Sequence, residues 1–214
     1  MRIDLHVHTR ERSPCARSSA DQMIRAAIDS GLDGLAITDH DRLVAREDLA
    51  YLNAKYAPFR VFGGVEVTTR GEHILVLGVR AERLEHVWWT YPDLHHFVME
   101  RDGFLAVAHP FRFNRTQVGV DLDCFPPHAL EVFSQNTPTR ATSRIADVAA
   151  ELDVPLLSNS DAHHADDIGD YYNVLDEEPE DTTALVRILK AGAFEPVGPG
   201  EDWLMPLSWR SQAE

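Results

Sequence analysis

Apolar residues recur along this chain in short alternating or continuous runs, separated by segments of helical period. Residues 2–8, RIDLHVH, alternate Ile3, Leu5 and Val7 with Asp4, His6 and His8, the period-two signature of a strand. Asp4, His6 and His8 then share one face. That face reads either as the polar side of a half-exposed edge strand or as a pair of imidazoles at i and i+2 that can chelate one ion. In the following SSADQMIRAAIDSGL, Met23, Ile24, Ala27 and Ile28 fall on one helical face, Ser18 with Asp21 resembles an N-cap pair, and Gly31 is a stop. A short strand in DGLAITDH precedes a helix over about 42–56. FRVFGGVEVT and EHILVLGV read as neighbouring strands joined by a turn at Arg70-Gly71. Helices over about 92–102, 139–152 and 181–191 then alternate with strands in FLAVAHP, ALEVFSQ and VPLLSNSDAH.

Sustained strand–helix alternation predicts an α/β fold, with a mainly parallel sheet and helices packed outside it. For 214 residues, this strand count suits a single-domain closed or distorted (β/α) barrel better than an open doubly wound sheet. The domain is expected over 1–200, with 201–214 as a C-terminal tail.

Composition narrows the function classes. The chain is 44% hydrophobic and 26% charged, an ordinary globular mix, but its formal charge is −15. Such a surface repels polyanions, which argues against a nucleic-acid-coating role. Three divalent cations in one cleft would reverse the sign locally. The N-terminus has no apolar leader region, and no apolar stretch reaches the roughly 18–20 residues of a membrane helix. Cys15 and Cys124 make no disulfide framework, so a reducing cytoplasm is expected and a membrane partner is not.

Chemistry concentrates at the strand ends. The first strand supplies His6 and His8, the second His40 and the third Glu66; the neighbouring strand begins with His73. LAVAHPF ends on His109, and LLSNSDAH on Asp161 and His163. These residue types bind hard-to-borderline divalent metals, and barrel strand ends converge on one cup. Eight such ligands are too many for one ion, so two or three are expected. His86, His95, His96, His128 and His164 lie away from strand ends and read as structural or solvated.

DLHVHT, ITDHD, GVEVT…EHILVLG, AHPFR and SNSDAH, in this order over residues 4–163, resemble the PHP (polymerase and histidinol phosphatase) superfamily. The resemblance implies a distorted (β/α)7 barrel, a di- or trinuclear site of Mn, Fe or Zn, and phosphoester hydrolysis. It implies that His6, His8, Glu66 and Asp161 hold a first metal, and His40 and His163 a second with Asp161 nearby. Glu66, His73 and His109 would hold a third. Asp161, Glu66 and His163 are the implied catalytic members. Family members often carry an Asp or His some six or seven residues past the second histidine. Here RERSPC stands instead, one residue longer, with Cys15 nearest as a possible ligand that suits zinc or iron better than manganese.

The expected chemistry is in-line attack on phosphorus by hydroxide generated on the metals, with no side-chain nucleophile. Asp4 and Asp39 flank ligand histidines and are expected to orient them. Arg112, then Arg10 or Arg12, are candidate phosphate clamps. The expected substrate is a small phosphate ester or nucleotide, and no nucleic acid beyond short oligonucleotides. The alternatives are a non-catalytic or regulatory metal-binding domain, a short-oligonucleotide exonuclease, and an amidohydrolase-type C–N hydrolase. The last usually needs a carboxylated lysine, and lysine is scarce at these strand ends.

Overall fold

The computed structural model describes residues 1–199; the expected tail at 201–214 lies outside them. The chain alternates strands β1 (Arg2–Val7), β2 (Gly34–Ile37) and β3 (Arg60–Thr68) with helices α1 (Ala20–Asp29) and α2 (Arg46–Tyr56). Strand β4 (His73–Leu77) follows, then α3 (Arg83–His86), α4 (Tyr91–Met99), β5 (Phe104–Val107) and β6 (Ala129–Phe133). Helix α5 (Thr142–Leu152), β7 (Leu156–Ser158), β8 (Tyr172–Leu175), α6 (Thr182–Lys190) and β9 (Phe194–Val197) complete the order.

The strands form one nearly closed sheet in the order β7-β6-β5-β4-β3-β2-β1-β8-β9. Its pairings divide evenly between parallel and antiparallel, so the mainly parallel sheet is corrected: β4 and β8 run against their neighbours on both sides. Strands β1, β2, β3, β5, β6 and β7 point the same way, which gathers their carboxyl ends. Because β4 is reversed, its first residue His73 pairs with Thr68, the last of β3, and reaches that same end. Gly71 makes the tight reversal possible with φ of 137°, and a Cβ there would collide with the Gly119 carbonyl.

Local signals hold with small shifts. Helix α1 is capped by Ser19, with Gln22 completing the capping box, one residue beyond the expected Ser18–Asp21 pair. Ser18 Oγ instead accepts from the Ala165 amide at 2.9 Å. Met23, Ile24 and Ala27 are buried, whereas Ile28 is 41% exposed and off the buried face. Strands β8 and β9 escape pattern reading because each has four residues and β9 contains Pro196, which is tolerated where it lies beside an edge.

Apolar packing forms three clusters. One joins β3–β7 to α4 and α5, a second joins β1–β3 to α1 and α2, and a third packs Leu185, Val186, Ile188 and Leu189 of α6 against Ile3, Leu5, Leu75 and Phe104. Where β7 meets β9 and β8, side chains close the sheet: Ser158 Oγ donates to the Val197 carbonyl of β9 at 2.5 Å, and the Ser158 amide donates to Asn173 Oδ1 of β8 at 3.0 Å.

His128 is part of this framework. Its Nδ1 accepts from the Leu105 amide at 3.0 Å and its ring stacks on Phe104 at 5.4 Å. Burial, then the Lys190 charge, push its pKa down to about 4 from 6.5. Protonation therefore favours the unfolded chain. The contribution of His128 is complete above pH 6.5 and is lost as pH falls toward 4. His128→Asn, which keeps an acceptor but cannot titrate, should flatten that part of the stability–pH curve by about 1 kcal/mol after solvent screening. Thermal melts of both proteins between pH 7 and 4 check this.

Candidate metal centre

Glu66, near the end of β3, is fully buried, and five imidazoles surround its carboxylate. His40 Nδ1 lies 2.7 Å from Oε2, His73 Nδ1 3.0 Å and His109 Nε2 3.1 Å from Oε1, and the Nε2 atoms of His6 and His8 lie at 3.3 Å. Asp161 forms the second centre of the cluster: His8 Nε2 is 3.0 Å, His6 Nε2 3.3 Å and His163 Nδ1 3.7 Å from its Oδ1. The structure thus brings all eight expected strand-end ligands together. Their donor atoms fall into the groups His6–His8–Glu66–Asp161, His8–His40–His163 and His40–Glu66–His73. The first group is the expected set. The second adds His8 to His40 and His163. In the third, His40 stands where His109 was expected, while His109 bridges Glu66 and Asp161, with Nε2 3.6 Å from Asp161 Oδ2.

The polar face of β1 is no edge. Asp4, His6 and His8 are all fully buried, so each needs a partner. His6 Nδ1 meets Glu131 Oε1 at 3.0 Å, and His8 Nδ1 meets Ser13 Oγ at 3.3 Å. Ser13 donates its own proton to Asp39 Oδ1 at 2.7 Å, so its oxygen is left to accept from His8. Both rings therefore carry their proton on Nδ1 and present Nε2 as a lone pair. Those Nε2 atoms stand 3.0 Å apart. Two lone pairs at that distance repel unless a cation sits against both, and the carboxylate oxygens Glu66 Oε2 and Asp161 Oδ1 beside them are buried without hydrogen bonds. The donor set fits divalent metal ions.

Without a metal ion, the same carboxylates draw a proton onto His6 in its place. Burial works against protonating His6, but Asp161, Glu131 and Glu66 outweigh it and raise its pKa well above the usual value. His8, where burial dominates, is pushed down to about 4. Glu66 is held well below its ordinary range, because His6, His109 and His40 overcome its desolvation. Burial pushes Asp4 up to about 7.

Several supporting residues play parts other than those expected. Asp39 acts on His8 through Ser13 rather than on its neighbour His40, and it also accepts from Thr9 Oγ1 at 2.7 Å. Asp4 touches no imidazole ring through a hydrogen bond. It accepts from the His6 amide at 3.1 Å and Ser160 Oγ at 2.5 Å, tying β1 to the loop that carries Asp161. Glu131 was missed by pattern reading, yet it is fully buried and holds His6, the His109 amide at 2.8 Å and Asn159 Nδ2 at 2.8 Å. A lone acid inside the apolar strand ALEVF was its signal, since a buried charge demands partners. His109 and Asp161 both have left-handed backbone, φ 29° and 53°, a strain that functional positions commonly hold.

A cavity of about 230 Å³ adjoins the cluster, lined by Glu72, His73, His109, Arg112, Phe113 and Arg115 among others. Arg112 donates through Nη2 to Asn136 Oδ1 at 2.9 Å, and Asn136 Nδ2 donates to Asp161 Oδ2 at 2.6 Å. Its Nε is buried without a partner. Arg12 is instead paired with Asp48 of α2, and Arg10 is exposed on the loop after β1. Cys15 is exposed, burial raises its thiol pKa, and it joins none of the ligand groups among the described residues. His86, His95, His96, His128 and His164 are likewise outside those groups.

A family model described as PHP-associated matches residues 139–194. No curated protein matches the chain. Among solved structures, a two-domain protein from Bacteroides vulgatus containing a predicted PHP-like metal-dependent phosphoesterase is similar over 93% of this chain, with TM-score 0.71 and 14% identity. The chain spans 65% of that protein's length. PsfC from Pseudomonas syringae is 18% identical over 94% of this chain and 92% of its own, with TM-score 0.67. An amidohydrolase from Chromobacterium violaceum with bound sulfate is 18% identical over 93% and 98% of the two chains, with TM-score 0.63. The barrel-shaped sheet is thus of the kind found in a PHP-like protein. The chain shares the fold of these structures, and its residues 139–194 match the PHP-associated model.

Outer partners of ligating histidines commonly contribute about 10–100-fold in metal affinity. Glu131→Gln should therefore weaken metal binding by about tenfold or more while the fold persists, as read by competition with a metallochromic chelator. Cys15→Ser should leave metal content unchanged in elemental analysis.

Proposed function

We propose that this protein is a metal-dependent phosphoesterase acting on small phosphate esters. The observation that carries the reading is the pair of Nε2 atoms, of His6 and His8, facing each other at 3.0 Å between the Glu66 and Asp161 carboxylates. His6, His8, His40, Glu66, His73, His109, Asp161 and His163 would hold two or three divalent ions of Mn, Fe or Zn. When bound, such ions supply Lewis-acid stabilisation of phosphoryl oxygens and acidify water for in-line attack.

The chain's own residues set the stage for that chemistry. Glu131 and Ser13 fix the tautomers of His6 and His8. Arg112, held by Asn136, lines the adjoining cavity and would bring its guanidinium charge to a phosphoryl oxygen there, where charge develops in the transition state. Asn136 in turn steadies Asp161. The sulfate bound by the Chromobacterium violaceum relative is a tetrahedral oxyanion of phosphate-like shape, which supports the same substrate class.

That relative is called an amidohydrolase, so C–N hydrolysis is the second reading. The chain's two lysines, Lys55 and Lys190, pair with Asp21 at 2.8 Å and Asp102 at 2.5 Å, and neither joins the cluster. A bridging carboxylated lysine has no source here, which favours phosphoesters.

Metal analysis and a substrate panel test the reading together. The protein should carry two to three ions per chain after reconstitution with Mn, Fe or Zn, and it should hydrolyse phosphomonoesters or diesters but not amides. Asp161→Asn should lower that activity by more than about a hundredfold without unfolding the chain, because it removes a ligand charge that histidine cannot supply. Less than one metal per chain, or turnover of amides alone, would sink it.

A further inference from the structure

A second cavity, of about 160 Å³, lies between the segment after β5 and the turn that begins α5. Phe111, Arg115, Pro138, Arg140 and Arg144 line it, and Arg115 also lines the cavity beside the metal cluster, so the two spaces meet at one guanidinium. The chain carries a charge of −15, yet three cationic side chains and no carboxylate face this space. Among the described residues, neither Arg140 nor Arg144 has an ion-pair partner; the Arg144 guanidinium lies 5.0 Å from the Phe111 ring. Arg115 reaches the Gly71 carbonyl and lies 3.6 Å from Glu72.

The backbone adds to the same sign. Helix α5 has eleven residues, with no acid in its first turn and no side-chain cap, so no side chain offsets the positive end of its dipole. Three guanidinium groups and a helix start facing one concavity repel one another, and an oxyanion relieves that repulsion while accepting paired N–H bonds. In an otherwise acidic protein, solvated arginines would be expected to lean toward the abundant carboxylates. These two do not.

We propose that this cavity is a second anion subsite, which receives a phosphate or carboxylate group of the same molecule whose phosphoester lies at the metal cluster. The inference rests on the phosphoesterase reading for the position of the reacting group. It narrows the substrate class to small esters bearing two anionic groups, the second held clear of the metals by Arg140 and Arg144 with Arg115 between.

Non-hydrolysable probes separate this inference from the activity it builds on. Alkanediyl bisphosphonates, ω-carboxyalkylphosphonates and simple alkylphosphonates, each over a series of chain lengths, are titrated calorimetrically into the metal-loaded protein. At the matching length, the two-headed probes should bind about tenfold or more tightly than the alkylphosphonate, the worth of one or two charge-assisted contacts. In R140M/R144M that advantage should collapse to near unity while alkylphosphonate affinity is unchanged, which also reports that the variant is folded. The bisphosphonate and carboxyalkyl arms tell which second group the subsite takes. Equal affinity of one- and two-headed probes at every length in the wild type overturns the inference. So does an advantage that survives R140M/R144M. If no ester is hydrolysed but the two-headed preference and its loss are seen, the phosphoesterase reading fails while the second anion subsite stands.

Discussion

A single carboxylate with no exposure to solvent, Glu66, sits among five imidazoles, and much of the molecule is arranged to keep it there. An isolated buried carboxylate is costly, so the surrounding nitrogens must be close and their positions fixed. That need explains why the reversed strand β4 begins at His73, why His109 takes a strained backbone, and why His40 follows directly on the short strand β2. Each element delivers one nitrogen to the same two oxygens.

The need for tautomer control extends the arrangement outward. An imidazole presents a lone pair on Nε2 only if its other nitrogen donates elsewhere, and β1 presents two such rings side by side. Glu131 serves one from β6, and Ser13, backed by Asp39, serves the other from the loop after β1. Which nitrogen each ring turns toward the cluster is therefore set by groups that do not line the cavity.

What the sequence discloses follows from the range of the interactions. Ligands at strand ends are legible because each is adjacent to its own apolar run, as His109 is to FLAVA. The capping serine of α1 is legible to within one residue for the same reason. Glu131, Asn136 and Asn159 act across 125, 25 and 28 positions, on His6, Asp161 and Glu131 respectively, and no local pattern carries such pairings. The antiparallel direction of β4 and the existence of β8 and β9 are also set by distant neighbours. Arg12 shows the converse: its place in the motif suggests a phosphate clamp, but α2 brings Asp48 within reach and claims it.

The seam where β7 meets β8 and β9 joins these themes. Asn173 receives the Ser158 amide there, and its Nδ2 donates to Asn159 Oδ1 at 2.9 Å; Asn159 Nδ2 then donates to Glu131, which meets His6. An unbroken run of amide and carboxylate groups thus leads from the point where the sheet shuts to the ring that offers its lone pair to a cation. The His6 ring cannot turn without disturbing a contact in this run. Holding the sheet's last strands together and aiming one imidazole draw on the same few side chains.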